Sequence, residues 1–412
     1  MSRTGPWSTL KAKAHQAVEK ALGRSLYKAY EGINTALNSA YWVKIKDELP
    51  DGSLLVENVI KGAKRPVKQV TTRVEKELVH PLLRGRNVTS WKSKPELYIV
   101  LPTDSRGDNI RTSSLRVDYP KTYEYFTNFF NELITRGGQP YKAQLKPWRE
   151  KSRDIAERTS PPFYMLFNVS HSLTPYKVVW KYIAKSLMAA VVGPINDSYL
   201  GEKTLITDHR LMLVQCAKED EAHYICGVLN SNLAKLIAKS YTVGTQISTH
   251  VLEYVKVVQY DSNNEIHTQL AELSKRAHTI AAVEDEVELG RVEDEIDRLV
   301  AQIYSLTEDE LEEVKISLRI LEGEEVEEEV VEEEPKAVKV DFLDAVVRPK
   351  AVGSFEVAVS NPLQEKVTIE LQLPERPIRL ETVKEEDKIR VAVSPLETGE
   401  YKVLYKIITS QK

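Results

Sequence analysis

Several signals that usually announce a chemistry are missing from this sequence. It has two cysteines, Cys216 and Cys226, in 412 residues. That is too few for a disulfide framework, and without a CxxC pair or a nearby histidine cluster they make no zinc site. Both read as small buried apolar residues. Its 17 glycines include no GxG, so the strand-turn-helix that cradles a dinucleotide or S-adenosylmethionine has no visible home. The adjacent pair Gly137 and Gly138 follows the helical pattern NELIT and reads as a helix C-cap. No apolar run of about 18 residues occurs, and MSRTGPWSTLKAK leads into an amphipathic segment, not a secretory apolar core. These absences predict a cytoplasmic protein with no membrane span, no metal and no cofactor of its own.

Nucleophile and nuclease patterns are equally thin. His209 stands beside Asp208 in ITDHRL, but no GxSxG-type nucleophile accompanies them, so a structural histidine is expected. Pro50-Asp51 and Glu57 open a metal-dependent nuclease pattern, yet Val59 stands where its lysine is required.

What is present is charge, unevenly placed. The net charge is -4, but residues 1–181 hold 31 Lys+Arg against 17 Asp+Glu, a balance of +14, and the remainder balances at -18. A polyanion binder needs cations on one surface, which makes the N-terminal half the candidate contact region.

Patterning divides the chain into five regions. Residues 1–25 form a basic helical N-terminus. Residues 26–262 alternate helical patterns (KTYEYFTNFFNELI, AHYICGVLNSNLAKLIAKSY) with strand-like runs (AYWVKI, LYIVLP, FYMLFNV, YKVVW, RLMLVQCA, YVKVVQY), predicting an α+β domain on twisted, mainly antiparallel sheets. Residues 263–321 carry helical stripes of Ile266, Leu270 and Leu273, then Val292, Ile296, Leu299 and Ile303, with Thr307 and Glu310 as a capping box. An acidic linker over 322–335 precedes short alternating runs in 336–412, which predict a small immunoglobulin-like β-sandwich.

The stretch SPPFY, Ser160–Tyr164, raises one catalytic possibility. DNA amino-methyltransferases use a polar residue, two prolines and an aromatic to hold a flipped base. Here Ser160, Pro161, Pro162 and Phe163 would supply those parts. The competing reading is a rigid entry into the strand-like run FYMLFNV.

Taken in order, PLLRGRNVTSW, SPPFYMLFNV, PYKVVW, LITDHRLMLVQC with AHYICGVLNSNLAKLIAKSY, and EIDRLVAQIYSLTEDEL resemble the C-terminal target-recognition region of adenine-specific DNA methyltransferases of type II restriction-modification systems, fused methylase-nucleases included. YEGINTALNSAYWVKI is similar to the start of that region, and the resemblance runs from about residue 25 to 320. In place of the catalytic half expected upstream stand about 25 residues of basic helix. The resemblance therefore implies a DNA specificity subunit acting on double-stranded DNA, with S-adenosylmethionine and catalysis on a separate methyltransferase or methylase-nuclease chain. Two alternatives stand beside it: a divergent amino-methyltransferase using the SPPF motif, and a non-catalytic adaptor acting through the β-sandwich.

Within the matched segments, Arg84, Arg86 and Lys92 flank a glycine turn where guanidinium forks can clamp phosphates or read a guanine edge. Lys142, Lys146, Trp148, Arg149, Lys151 and Arg153 form a second basic cluster with an aromatic, and Lys177 is a further candidate phosphate contact. Asn230 and Ser231 read as packing or capping residues.

Overall fold

The computed structural model describes residues 12–65, 67–241 and 245–322, together with six strands between Ala345 and Thr409. It divides into two units, Met1–Glu327 and Glu328–Lys412. The first is α+β, as the sequence predicts, and is built on two sheets.

The larger sheet has six strands in the order Ile206–Thr207, Val79–Leu83, Leu97–Val100, Trp42–Glu48, Leu54–Asn58 and Thr71–Val74. All its pairs are antiparallel except the first, where Ile206–Thr207 runs parallel to Val79–Leu83. The hairpin between Trp42–Glu48 and Leu54–Asn58 shows why these residues form strands. Leu54 and Val56 point inward while Leu55 and Glu57 lie half-buried between them, the period-two pattern of a one-sided sheet. Its turn is LPDGS: Gly52 takes φ +76°, and the Asp51 carboxylate accepts from the Ser53 amide at 3.1 Å and hydroxyl at 2.5 Å. Asp51 is thus a turn residue, and Glu57 pairs with Lys46 at 2.9 Å. No group of three or more His, Cys, Asp or Glu side chains suited to a metal occurs among the described residues.

The smaller sheet is wholly antiparallel, in the order Ala29–Glu31, Leu211–Cys216, Tyr176–Lys181 and Ala189–Val192. Helices Glu219–Asn230, Asn232–Tyr241, Glu265–Val283, Glu286–Ile303 and Glu308–Glu322 join it in one core. Leu270, Val292, Ile296 and Val314 from residues 263–321 share that core with Val178 and Val214 of the strands. The helical segment is therefore continuous with the preceding region, and each such buried side chain contributes about 1.5–3 kcal/mol. The capping box forms: Thr307 Oγ1 accepts from the Glu310 amide, and Glu310 accepts from the Thr307 amide at 2.7 Å.

The basic N-terminal helix, Ala12–Ala21, buries Ala14, Ala17 and Val18 in this same core. Its Lys13 and Lys20 pair with Asp309 and Glu310 of the last helix at 3.1 and 2.6 Å. Part of the charge asymmetry is therefore matched internally, basic N-terminus against acidic C-terminal helices.

Two strand expectations fail. FYMLFNV forms no strand. Its buried aromatics turn into a cluster with Phe126, Phe129 and Trp148 among the short helices between Thr112 and Ser172, and Asn168 takes φ +58°. YVKVVQY contributes only an isolated bridge at Val255. Its backbone groups are spent on the irregular segment after the first helix, with Gly23 donating to Tyr254 and Lys256 to Ala21. Both cysteines are buried, which pushes their thiols up.

In the second unit, Ala345–Val347, Tyr401–Thr409 and Val367–Gln372 form one antiparallel sheet, and Gly353–Ala358, Lys388–Pro395 and Ile378–Glu385 another. Ala345–Val347 and Ile378–Glu385 were not among the expected strands; the run VKVDFL and the acidic linker beyond Glu322 lie outside the described residues. No helix among the described residues is long and apolar enough to cross a membrane.

Candidate nucleic-acid interface

The chain crosses between the two sheets twice at one place. After Ala29–Glu31 it passes through Gly32 to Asn34, and after Ile206–Thr207 it turns through Asp208, His209 and Arg210 into Leu211–Cys216. The crossings are laced together by Gly32 N–H to the Leu211 carbonyl at 2.9 Å and Ile33 N–H to the Thr207 carbonyl at 2.8 Å. They approach so closely that a Cβ on Gly32 would sit 2.2 Å from the Asp208 carbonyl oxygen, which only glycine accommodates.

Asp208 is 2% exposed, and its carboxylate accepts from the Arg210 amide at 2.9 Å. Burial pushes this carboxyl up to about 6, against the opposing pull of the Arg210 and Gly85 amides and the Arg210 and Arg84 charges. Burial, then Arg210 and Lys64, hold His209 below the usual histidine value, so its ring is neutral at pH 7. The turn thus buries its acid and leaves Arg210 exposed.

Beside the turn lies a groove of about 420 Å³ whose cations are Lys61, Lys64, Arg65, Arg84, Arg86 and Arg210, with Asp208 as its one carboxylate. A second cavity of about 260 Å³ shares Gly85, Arg86 and Arg210 with the first and adds Lys181 and Ile183. Lys61, Lys64, Lys181 and Arg210 have no ion-pair partner among the described residues. Three other cations are held. Arg65 donates to the Thr135 carbonyl and hydroxyl at 3.0 and 2.8 Å. Arg84 and Arg86 both reach Glu96 Oε2, at 3.0 and 2.6 Å, and Arg84 also lies over the Trp42 ring at 5.6 Å. With Glu96 compensating Arg84 and Arg86 and Asp208 buried, the cations left without an ion-pair partner among the described residues favour an anionic ligand.

No family model and no curated protein matches the chain. Among solved structures it is similar to the type IIG restriction endonuclease BpuSI, with a TM-score of 0.37 and 12% sequence identity over 76% of this chain and 33% of that one. The chain thus spans about a third of that enzyme's length, and the site is argued from its own geometry.

The structure separates the residues that the sequence grouped. Arg84 and Arg86 line the groove. Lys92 lines neither cavity and pairs with Glu284 at 2.6 Å. The second basic cluster is spent largely on structure. Trp148 is 5% exposed and donates its indole N–H to the Pro161 carbonyl at 2.7 Å, so it is a core residue and offers no face to a base. Arg149 donates to the carbonyls of Ile134 and Lys142 at 2.6 and 2.7 Å. Arg153 bonds the Tyr123 hydroxyl and covers Phe130, and Lys146 pairs loosely with Glu150 at 3.7 Å. Lys142 and Lys151 are exposed and line neither cavity.

Lys177 corrects the sequence reading outright. It is 0% exposed and donates to the Thr174 carbonyl at 2.8 Å, and burial pushes its amine down to about 7. No phosphate reaches it in this fold. Tyr176–Lys181 is covered on both faces, a condition that an alternating pattern cannot announce.

SPPF does not fit a base-flipping amine site. Phe163 is 0% exposed, packed edge-on against Trp148 and Phe130. The Pro161 carbonyl is taken by Trp148, and the Pro162 carbonyl accepts from the Met165 amide at 2.9 Å. The stacking ring and both prolyl carbonyls are consumed by the core, while Ser160 Oγ has no hydrogen-bond partner among the described residues. Asn230, as expected, is a packing residue, clasping the Ala189 amide and carbonyl, both at 2.8 Å, and Ser231 caps the helix that follows.

Lys61, Lys64, Arg65, Lys181 and Arg210 were missed as site residues, and His209, expected to be structural, lines the groove with its Nδ1 unpartnered among the described residues. KGAKR, with three cations in five residues around a glycine, was the available signal. Lys181 and Arg210 carry none, because only the sheet register brings them together.

Proposed function

We propose that the chain is the double-stranded DNA recognition subunit of a restriction-modification methyltransferase system, acting with a separate methyltransferase or methylase-nuclease chain that binds S-adenosylmethionine. The observation that carries this reading is the set of four cations without an ion-pair partner among the described residues, Lys61, Lys64, Lys181 and Arg210, around two adjoining cavities that share Arg86. The resemblance of PLLRGRNVTSW and the segments after it to methyltransferase target-recognition regions supports the assignment to such a system. An immunoglobulin-like packing of the two C-terminal sheets belongs to the same proposal, without a role in DNA contact.

In this reading the free lysines and Arg210 neutralise backbone phosphates and release counterions. These contacts set the register, and the guanidinium at Arg86 meets the groove between them. No methyl-transfer step is assigned to this chain.

The test is a salt titration of the full chain on duplex DNA. The logarithm of affinity should fall linearly with the logarithm of salt, and Lys61, Lys64 and Arg210 together replaced by alanine should flatten the slope by about 0.9 per lost phosphate contact. Lys142→Ala with Lys151→Ala should leave it unchanged. Absence of duplex binding at low salt, or an unaltered slope in the triple variant, would sink the proposal.

A further inference from the structure

Arg86 differs from every other cation of the groove. It sits in a one-turn 3₁₀ helix, Gly85–Asn87, closed by the Asn87 amide on the Arg84 carbonyl at 2.8 Å and tied outward by the Lys94 amide on the Asn87 carbonyl at 3.1 Å. Its side chain is 67% exposed where that of Arg84 is 13%. With Gly85 and Arg210 it lines both cavities. Lys61 and Lys64 lie on one side and Lys181 on the other.

One terminal nitrogen of Arg86 is bound at 2.6 Å to Glu96 Oε2, the same oxygen that Arg84 holds from the buried side. Hydrogen bonds from Arg86 first, then from Asn87, keep the Glu96 carboxyl below the usual carboxylate range. The remaining N–H donors of Arg86 have no partner among the described residues.

This arrangement suits one kind of acceptor better than another. A phosphate brought to Arg86 would also be brought to the Glu96 carboxylate, which repels it. The neutral acceptors of a base edge carry no such penalty, and they gain from a planar fork whose orientation is already fixed. The lysines on either side have no ion-pair partner among the described residues and are free for phosphate. We propose that Arg86 is a base-reading finger that pairs with O6 and N7 of a guanine in the major groove, and that Glu96 is the positioning residue that aims it. The inference rests on the DNA reading above and names the base which that site recognises.

The experiment selects preferred sites from a duplex randomised at its centre, using the full chain. Each guanine of the selected site is then replaced by 7-deazaguanine, which lacks the N7 acceptor. Wild type should lose about tenfold in affinity at one guanine, and in Arg86→Ala that penalty should vanish. Glu96→Gln should keep or raise affinity for random duplex while its preference for that guanine narrows, a split that a merely structural role would not produce. The inference alone is overturned if wild type tolerates 7-deazaguanine at every position, or if Arg86→Ala weakens all sequences equally and lowers the salt slope by about one. Failure of the wild-type chain to enrich any duplex overturns the DNA reading and this inference with it.

Discussion

Arg136 holds the wall of the groove from inside the core. Its guanidinium is 0% exposed and donates to the Thr35 carbonyl at 3.2 Å, to the Met165 carbonyl and to the Tyr41 phenolic oxygen. It lies over the Tyr41 and Tyr141 rings at 5.5 and 4.1 Å. No carboxylate pairs with it among the described residues. Arg136→Met keeps much of the volume and removes every donor. The buried Thr35 and Met165 carbonyls then each cost about 1–3 kcal/mol, and each lost ring contact about 0.5–2 kcal/mol. The return from no longer desolvating a guanidinium offsets part of this, leaving a net loss of about 3 kcal/mol. At about 2–4 °C per kcal/mol, the main thermal transition should fall by roughly 6–12 °C. Circular dichroism melts of wild type, Arg136→Met and Arg136→Lys would measure it, with the lysine variant intermediate because one ammonium cannot span the same acceptors. A methionine variant that melts within about 1 °C of wild type would refute the claim that these hydrogen bonds support the fold. Because Thr35 adjoins the groove-lining Asn34 and Ala36, the same variant should also weaken duplex binding at temperatures where it is still folded.

Two further outcomes follow from burial. Gly32→Ala places a methyl group against the Asp208 backbone and should cost about 3 kcal/mol or more. Gly52→Ala meets nothing within 4 Å at φ +76° and should cost only about 1 kcal/mol. Equal melting of the two variants would contradict the close crossing. Lys177 has a folded value of about 7, against 10.5 for an unhindered lysine. Between those values the unfolded chain binds more protons, so stability should rise with pH across that window. Relative to Lys177→Met, wild type should gain up to about 1.4 kcal/mol per pH unit between pH 7.5 and 9.5, measured by urea unfolding. Parallel pH profiles of the two proteins would show that Lys177 is not buried.

Local features of this protein were legible without a structure because their causes are local. The stripes Ile266, Leu270 and Leu273, and Val292, Ile296, Leu299 and Ile303, predicted buried helix faces; Leu270, Val292 and Ile296 are buried and the other four half-buried. Thr307 and Glu310 predicted a cap from a three-residue spacing, and the cap forms. The glycine turn in PLLRGRN could be read as a place where cations are exposed together. Which cations are free could not be read, since charge belongs to a residue but free charge belongs to a set of neighbours. Arg86 meets Glu96 ten positions on, while Lys92 meets Glu284 and Lys20 meets Glu310 from the far end of the unit. Trp148 and Phe163 looked like candidate base contacts until packing enclosed them together, and Lys177 looked like a phosphate contact until both faces of its strand were covered. The sequence by itself determined the helices, the caps, the turns and a surplus of positive charge in residues 1–181. The tertiary structure decided where that charge stays uncompensated, because Coulomb attraction and burial act through distance in space and not along the chain.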